Sequence, residues 1–287
     1  MAIKLGKILC VCIAVLSVCT NESTNSKETS NRKFYEKKKV FLPLKYAYKS
    51  AKVKLFASND FSIKIYAKNF SLGNAAYIEI KPAQNISIKN IKIIYFSFNK
   101  RYFPLVRKKW GYRGLFAIHP EGAGRKRILI IYKQKNIRKR KIFYLHIKSV
   151  RFPYYRSLLN VGKFSNSNYY KKHIAFIRQC TKKKNIAFSS KSPDYLDELR
   201  SHPRNRHMVT SPYWSKRKYL RYKIQRGRRV PLKSKIHIHQ GLDLYGKKGD
   251  PVYSLMSGKV VLAEKLFFEG NFIVIDHGNK IFTYFMH

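Results

Sequence analysis

A mostly β chain is predicted, in which a β-sandwich-like unit over residues 43–150 precedes an antiparallel β-sheet domain over residues 201–287. Three observations carry this. Between Pro43 and Val150, β-branched and aromatic residues recur at every second position, in FSIKIYAKNF, AAYIEIKP, ISIKNIKIIYFSF, RILIIYK and KIFYLHIKSV. The turn-forming stretches SLGN, KPAQN and HPEGAG separate these runs, and short strands so spaced suggest two packed sheets of immunoglobulin-like type. The same texture returns near the C-terminus. There DPVYSLMSGKVVLAEKL reads as two strands turning at Ser257-Gly258, and GNFIVIDHGNKIFTYFMH as a hairpin turning at Gly278-Asn279.

The elements follow in order. Residues 1–19 carry lysines, an apolar stretch from Ile8 to Cys19 and then a polar run, the layout of a secretory signal too short to span a bilayer. Within it LSVC, Leu16 to Cys19, resembles a bacterial lipoprotein box, which makes Cys19 a lipidation site; plain signal cleavage is the other reading, and both stand open. Residues 20–42 are polar and charged and read as a tether. Residues 151–200 form a linker with one amphipathic helix, in which Tyr170, Ile174, Ile177 and Cys180 recur every three to four positions and Ser167 serves as the cap. His173 in that helix reads as a surface residue.

Cysteines and charge bound the function classes. Three of the four cysteines, Cys10, Cys12 and Cys19, lie in the leader, so an exported protein keeps Cys180 as a structural thiol and no internal disulfide is expected. Lys+Arg of 61 against Asp+Glu of 14 gives +47, which draws the molecule toward any polyanion. The basic residues are spread along the whole chain, which fits a lysine-rich composition better than a dedicated nucleic-acid surface. An export signal points instead to anionic envelope polymers, with membrane contact only through a lipid anchor.

The segment HIHQGLDLYG, residues 237–246, holds the chemistry. His239 and Asp243 are four apart. In a regular strand they would stand about 13 Å from each other, too far to share a metal ion whose bonds are near roughly 2.0 Å. Gly241 between them permits a bulge or tight bend that swings both side chains onto one point. The alternation in KIHIH argues against a helix.

The run HQGLD, then KKGDPVYSLMSGKVV, then GNFIVIDHGNKIFTYFMH resembles the lysostaphin-type peptidases, zinc endopeptidases that cut peptide bridges of bacterial peptidoglycan. Their pattern is H-x-G-x-D, G-x-P-V with a G-x-V turn, G-N-x-V-x-x-D-H-G and T-x-Y-x-H; Ile273 stands at the valine and Phe285 at the tyrosine. The resemblance covers the last third of the chain and implies the following. His239 and Asp243 are the first two zinc ligands. His287 is the catalytic histidine that assists the zinc-bound water or the transition state. Upstream, TSPYW stands where the family has a serine, an aromatic and a glycine before a basic residue, with Trp214 at or near that glycine.

The sequence ends at His287, and the family's H-x-H, carrying the third ligand and a second catalytic histidine, would begin at this histidine or lie beyond it. The expectation is therefore a peptidase domain truncated before that motif, with weak metal binding and impaired catalysis. His237 forms an H-x-H with His239 but is read as an exposed neighbour, and His277 in DHG as a strand residue beside the turn. Two function classes follow: a zinc metallo-endopeptidase acting on peptidoglycan peptides at the periplasm or envelope, or a non-catalytic envelope protein whose degenerate peptidase domain binds wall or a partner.

Overall fold

The computed structural model describes residues 51–162, 167–195, 203–204 and 208–287. The leader with Cys19 and the tether lie outside the described residues.

The first unit is built from β1 (Lys52–Ala57), β2 (Phe61–Ala67), β3 (Ala75–Pro82), β4 (Ile91–Phe98), β5 (Arg101–Tyr102), β6 (Val106–Lys108), β7 (Gly111–Ala117), β8 (Gly124–Gln134) and β9 (Ile137–Ile147). They form two sheets, ordered β1-β2-β3-β7-β6 and β5-β4-β8-β9. Period-two patterning decides what each sheet buries. Phe61, Ile63 and Ile65 of β2 and Ile128, Ile130 and Tyr132 of β8 point into one shared core, while the residues between them face outward. Aromatic edges fill the space between the sheets: Phe116 packs against Phe98 at 5.0 Å and Phe96 at 5.6 Å between ring centres.

The rest of the chain makes smaller sheets. They comprise β10 (Tyr154–Asn160), β11 (Val209–Ser211), β12 (Lys216–Gln225), β13 (Arg228–Pro231), β14 (Lys235–Ile238), β15 (Asp243–Leu244), β16 (Lys259–Leu266), β17 (Gly270–Asp276) and β18 (Phe282–Met286). Strand β12 pairs with β10, β13 and β14; β11 pairs with β15; and β16, β17 and β18 follow one another in an antiparallel sheet. In the region read as a linker, β10 is a strand in parallel register with β12, Tyr154 opposite Lys216 through Asn160 opposite Tyr222. Its YYRSLLN has no period-two burial to announce it, because every residue of it is exposed.

The helical stretch is two segments, α1 (Ser167–Lys172) and α2 (Ile174–Phe188). The break falls at His173, whose ring packs on Tyr169 at 4.9 Å and Phe267 at 5.3 Å. On α2 the inward stripe runs through Ile177, Cys180 and Ala187, and Ile174 faces outward at 44% exposure. That stripe covers Leu262, Leu266, Phe272, Val274 and Phe282, and Lys183 and Lys184 pair with Glu264 and Glu269 at its rim. Cys180 is a buried packing residue.

Of the two strands read in DPVYSLMSGKVVLAEKL, only the second forms. Gly258 does not turn a hairpin; a Cβ there would stand 2.7 Å from the Asp276 carbonyl oxygen, so the glycine lets the chain pass close to β17. The Gly278-Asn279 turn does join β17 to β18, with φ of +78° and +52° at the two positions. His277 before it is fully buried, with Nδ1 on the Ser257 carbonyl at 2.7 Å and Nε2 on Thr283 Oγ1 at 2.8 Å. Because a carbonyl only accepts, Nδ1 carries the proton and Nε2 accepts from the threonine. Burial pulls the ring below the usual histidine range, against the opposing pull of the Ser257 carbonyl and the Asp276 charge.

Several contacts join the sandwich to the C-terminal part, among them His119 on Trp214 at 5.7 Å and Asn279 Nδ2 on the Pro104 carbonyl at 3.4 Å. Tyr77 and Leu115 pack with Met256 and Ile281. Residues 192–195 thread between the units: Asp194 accepts from buried Arg113 and pairs with Lys108 at 3.2 Å, Ser192 N–H donates to Asp276 Oδ2 at 2.9 Å, and Tyr195 N–H donates to the His277 carbonyl at 3.1 Å.

Candidate metal centre

Strand β14 delivers His239 to the site. Beyond its last residue, Ile238, the ladder to the 214–215 segment continues: His239 N–H donates to the Ser215 carbonyl at 2.9 Å and Trp214 N–H to the His239 carbonyl at 2.7 Å. The chain then bends at Gly241 and re-enters a strand at Asp243. Leu244 next to it packs on Ile275 and Phe285, which seats β15 on the outer face of β17 and β18. The bend closes the 13 Å gap of a straight strand, and His239 Nε2 lies 3.0 Å from Asp243 Oδ1.

The environment of His239 decides what this pair can do. Its Nδ1 faces the Pro212 carbonyl oxygen at 3.2 Å, with Ser211 Oγ at 3.4 Å. The carbonyl can only accept, so Nδ1 holds a proton, and Nε2 is left facing a carboxylate oxygen. Either a second proton or a cation must lie between them. A tetrahedral zinc with 2.0 Å bonds would separate its ligand atoms by about 3.3 Å, close to the distance found here. A backbone carbonyl on the far nitrogen is also the usual outer support of a metal-binding histidine. The two residues therefore fit half of a zinc site.

Arg217 completes the cluster. Its Nη2 donates to Asp243 Oδ2 at 3.2 Å and also to Ser211 Oγ, so the second carboxylate oxygen is held while the first points at His239. Partial burial opposes the Arg217 charge; interactions with Tyr219 and Asp243 outweigh it and raise the guanidinium above its ordinary value. Arg217 lies directly opposite His237 across the β12–β14 ladder. Sequence reading did not single out Arg217, Ser211 or Pro212. The only signal was the serine and the basic residue flanking TSPYW, and neither identifies a partner for Asp243.

The other site residues stand elsewhere. Among the described residues no third His, Cys, Asp or Glu joins His239 and Asp243 in a group able to hold a metal. His237 is exposed on β14 and His277 is committed to Ser257 and Thr283. His287 follows Thr283 and Phe285 on the outward alternation of β18, but its φ of +63° turns it aside. Its N–H donates to the Glu269 carbonyl at 3.1 Å, and its Nδ1 lies 3.1 Å from where a Cβ on Gly270 would be. The structure does not bring it to the His239–Asp243 pair.

Trp214 explains the glycine expected at its place in the pattern. It has φ of +59°, the left-handed region that costs a non-glycine residue roughly 1–2 kcal/mol. Burial offsets that strain, because the indole is 9% exposed and packs on Tyr213 and His119, each at 5.7 Å.

With this geometry in hand, comparison with known proteins gives a family match and five matching chains of solved structure. Residues 237–287 match the model of peptidase family M23. A crystal structure of a Pseudomonas aeruginosa protein assigned to peptidase M23 superposes with a TM-score of 0.44 at 15% identity, covering 76% of this chain and 74% of that one. No curated protein sequence matches the chain.

Proposed function

We propose, from the premise that residues 237–287 belong to peptidase family M23, that this protein is an exported zinc-dependent endopeptidase acting on peptidoglycan peptides. The single observation that carries this is His239 Nε2 set 3.0 Å from Asp243 Oδ1, inside the segment that matches the family. His239 and Asp243 would hold the ion. The Pro212 carbonyl keeps the imidazole in the tautomer that leaves Nε2 available, and Arg217 fixes the carboxylate so that one oxygen faces the ion. When bound, zinc supplies Lewis acidity for a scissile carbonyl and lowers the pKa of its water to about 7. The resemblance gives His287 a catalytic part; at its present place against Gly270 no step is assigned to it. The basic surface would keep the enzyme near anionic envelope polymers.

A second reading, a non-catalytic envelope protein, is favoured by one observation: Arg217 places a fixed positive charge on Asp243, doing some of what a metal does electrostatically. Zinc competition with a chromophoric chelator on the 287-residue protein tests both. The first reading expects binding that is lost in His239→Ala and Asp243→Ala and kept in His237→Ala. Release of new amino termini from purified peptidoglycan by the zinc-loaded protein supports the endopeptidase. A folded, zinc-loaded protein that releases none supports the non-catalytic reading.

A further inference from the structure

The outer face of the sheet β5-β4-β8-β9 is a cationic platform away from the metal centre. Directly paired residues share a face, so the ladders define it. Lys92, Lys133 and Arg138 stand in one row across β4, β8 and β9; Ile131 and Arg140 follow; then Leu129 and Ile142; then Arg127 and Tyr144; then Arg125 and His146. Tyr95 and Tyr102 close the β4–β5 side. No acidic residue occupies any of these positions. The six cations Lys92, Arg125, Arg127, Lys133, Arg138 and Arg140 enter no ion pair among the described residues. Five of them are exposed, and Arg127 is half-buried.

Like charges directly opposite one another destabilise a sheet, so the row Lys92–Lys133–Arg138 costs stability until an anion covers it. Arg125 and Arg127 on β8, and Arg138 and Arg140 on β9, lie about 7 Å apart at two residues of ~3.4 Å rise, Lys92 and Lys133 extend the second pair across the ladder, and the right-handed twist turns successive rows relative to one another. That shape suits a linear polyanion more than a flat lipid surface. Arg125 covers one face of Tyr144 at 3.8 Å, and Tyr95 and Tyr102 pack on each other at 5.4 Å, while Tyr144 and Tyr102 stay 47% and 45% exposed. The rings are thus partly engaged by neighbours, whereas the six cations have no ion-pair partner among the described residues, so contacts between cations and phosphates dominate what the face offers a ligand.

We infer that this face binds a base-free phosphodiester polymer, a polyol phosphate chain, through its row of lysines and arginines. The inference does not depend on the peptidase reading. Its test is fluorescence titration of the full chain with poly(glycerol phosphate) from low to 1 M salt. The face variant is Arg127→Gln, Lys133→Gln, Arg138→Gln and Arg140→Gln together, which keeps much of the aliphatic stems over Leu129 and Ile131. The control, Lys54→Gln, Lys64→Gln, Lys182→Gln and Lys265→Gln, removes equal charge from exposed positions elsewhere. At about 0.7 counterions per phosphate contact, the face variant's slope of log K on log salt becomes shallower by about 3, roughly a 200-fold loss at 0.15 M salt. The control changes affinity by less than about tenfold. An equal loss in the control overturns the inference, because binding is then spread over the whole basic surface. Tighter binding of oligothymidylate, or of phosphatidylglycerol-containing vesicles, at matched phosphate concentration overturns it too. Thermal unfolding of each variant confirms that the sandwich persists, and single Gln variants replace the fourfold one if it does not.

Discussion

Asp194→Ala should uncouple the two units. Its carboxylate accepts from Arg113, which is 2% exposed on β7, and pairs with Lys108 Nζ at 3.2 Å, while its backbone neighbours hold the β17–β18 turn. Removing one member of a buried pair costs about 3–5 kcal/mol, because the charge left behind is unsolvated. Here the Asp194 side chain is 12% exposed and Lys108 28%, so water reaches part of the site and the lower end, about 3 kcal/mol, is expected. At about 4–8 °C per kcal/mol for a unit of about 100 residues, the melting temperature of the sandwich falls by about 12–24 °C. The two tryptophans report the halves separately: Trp110 is 40% exposed at the β6–β7 turn, and Trp214 is buried beside His239. Single-tryptophan versions, Trp214→Phe and Trp110→Phe, follow each half by fluorescence in urea. Replacing the pair together, Arg113→Met with Asp194→Leu, should return stability to within about 1 kcal/mol of the parent, because apolar volume then fills the site without a stranded charge. A shift below about 1 kcal/mol in Asp194→Ala at both tryptophans would refute the argument, since the pair could not then be joining the units.

Four further outcomes are expected. His277 has its folded pKa lowered by burial while the unfolded ring titrates near 6.5, so its stabilisation is complete above pH 6.5. It falls by up to about 1.4 kcal/mol per pH unit as pH drops toward the folded value, and urea titrations of His277→Gln should lack that component of the slope. Arg217→Ala should weaken zinc binding about tenfold in the chelator competition, because Asp243 loses the group that orients it; tighter binding would instead show that Arg217 competes with the ion. Gly278→Ala should cost about 2–4 kcal/mol in the same urea assay, since φ is +78° and the new Cβ would lie 1.9 Å from the Pro193 carbonyl oxygen. Intact mass of envelope-extracted protein should show the leader removed, either by plain cleavage or with Cys19 as an acylated first residue; a terminus at Met1 in the soluble fraction contradicts export.

The sequence by itself determined whatever depends on neighbours along the chain. Alternation in FSIKIYA and RILIIY sets which side chains enter the sandwich core, and Gly278-Asn279 turns its hairpin because those positions need positive φ. The spacing of His239 and Asp243 around Gly241 already contained the donor pair, because a bend within five residues is a local event. Tertiary structure decided the rest, where partners arrive from distant segments. Strand β10 exists through its parallel register with β12, which no periodicity of YYRSLLN encodes. Residues 251–258 lie outside any strand, and Gly258 is needed because β17 passes within 2.7 Å of where its Cβ would stand. Pro212 and Arg217, which set the tautomer of His239 and hold Asp243, reach the site only when β11 and β12 pair with β15 and β14. Side-chain identity and spacing fix which atoms can bind a metal, but their convergence depends on non-local hydrogen bonding that brings separate segments together.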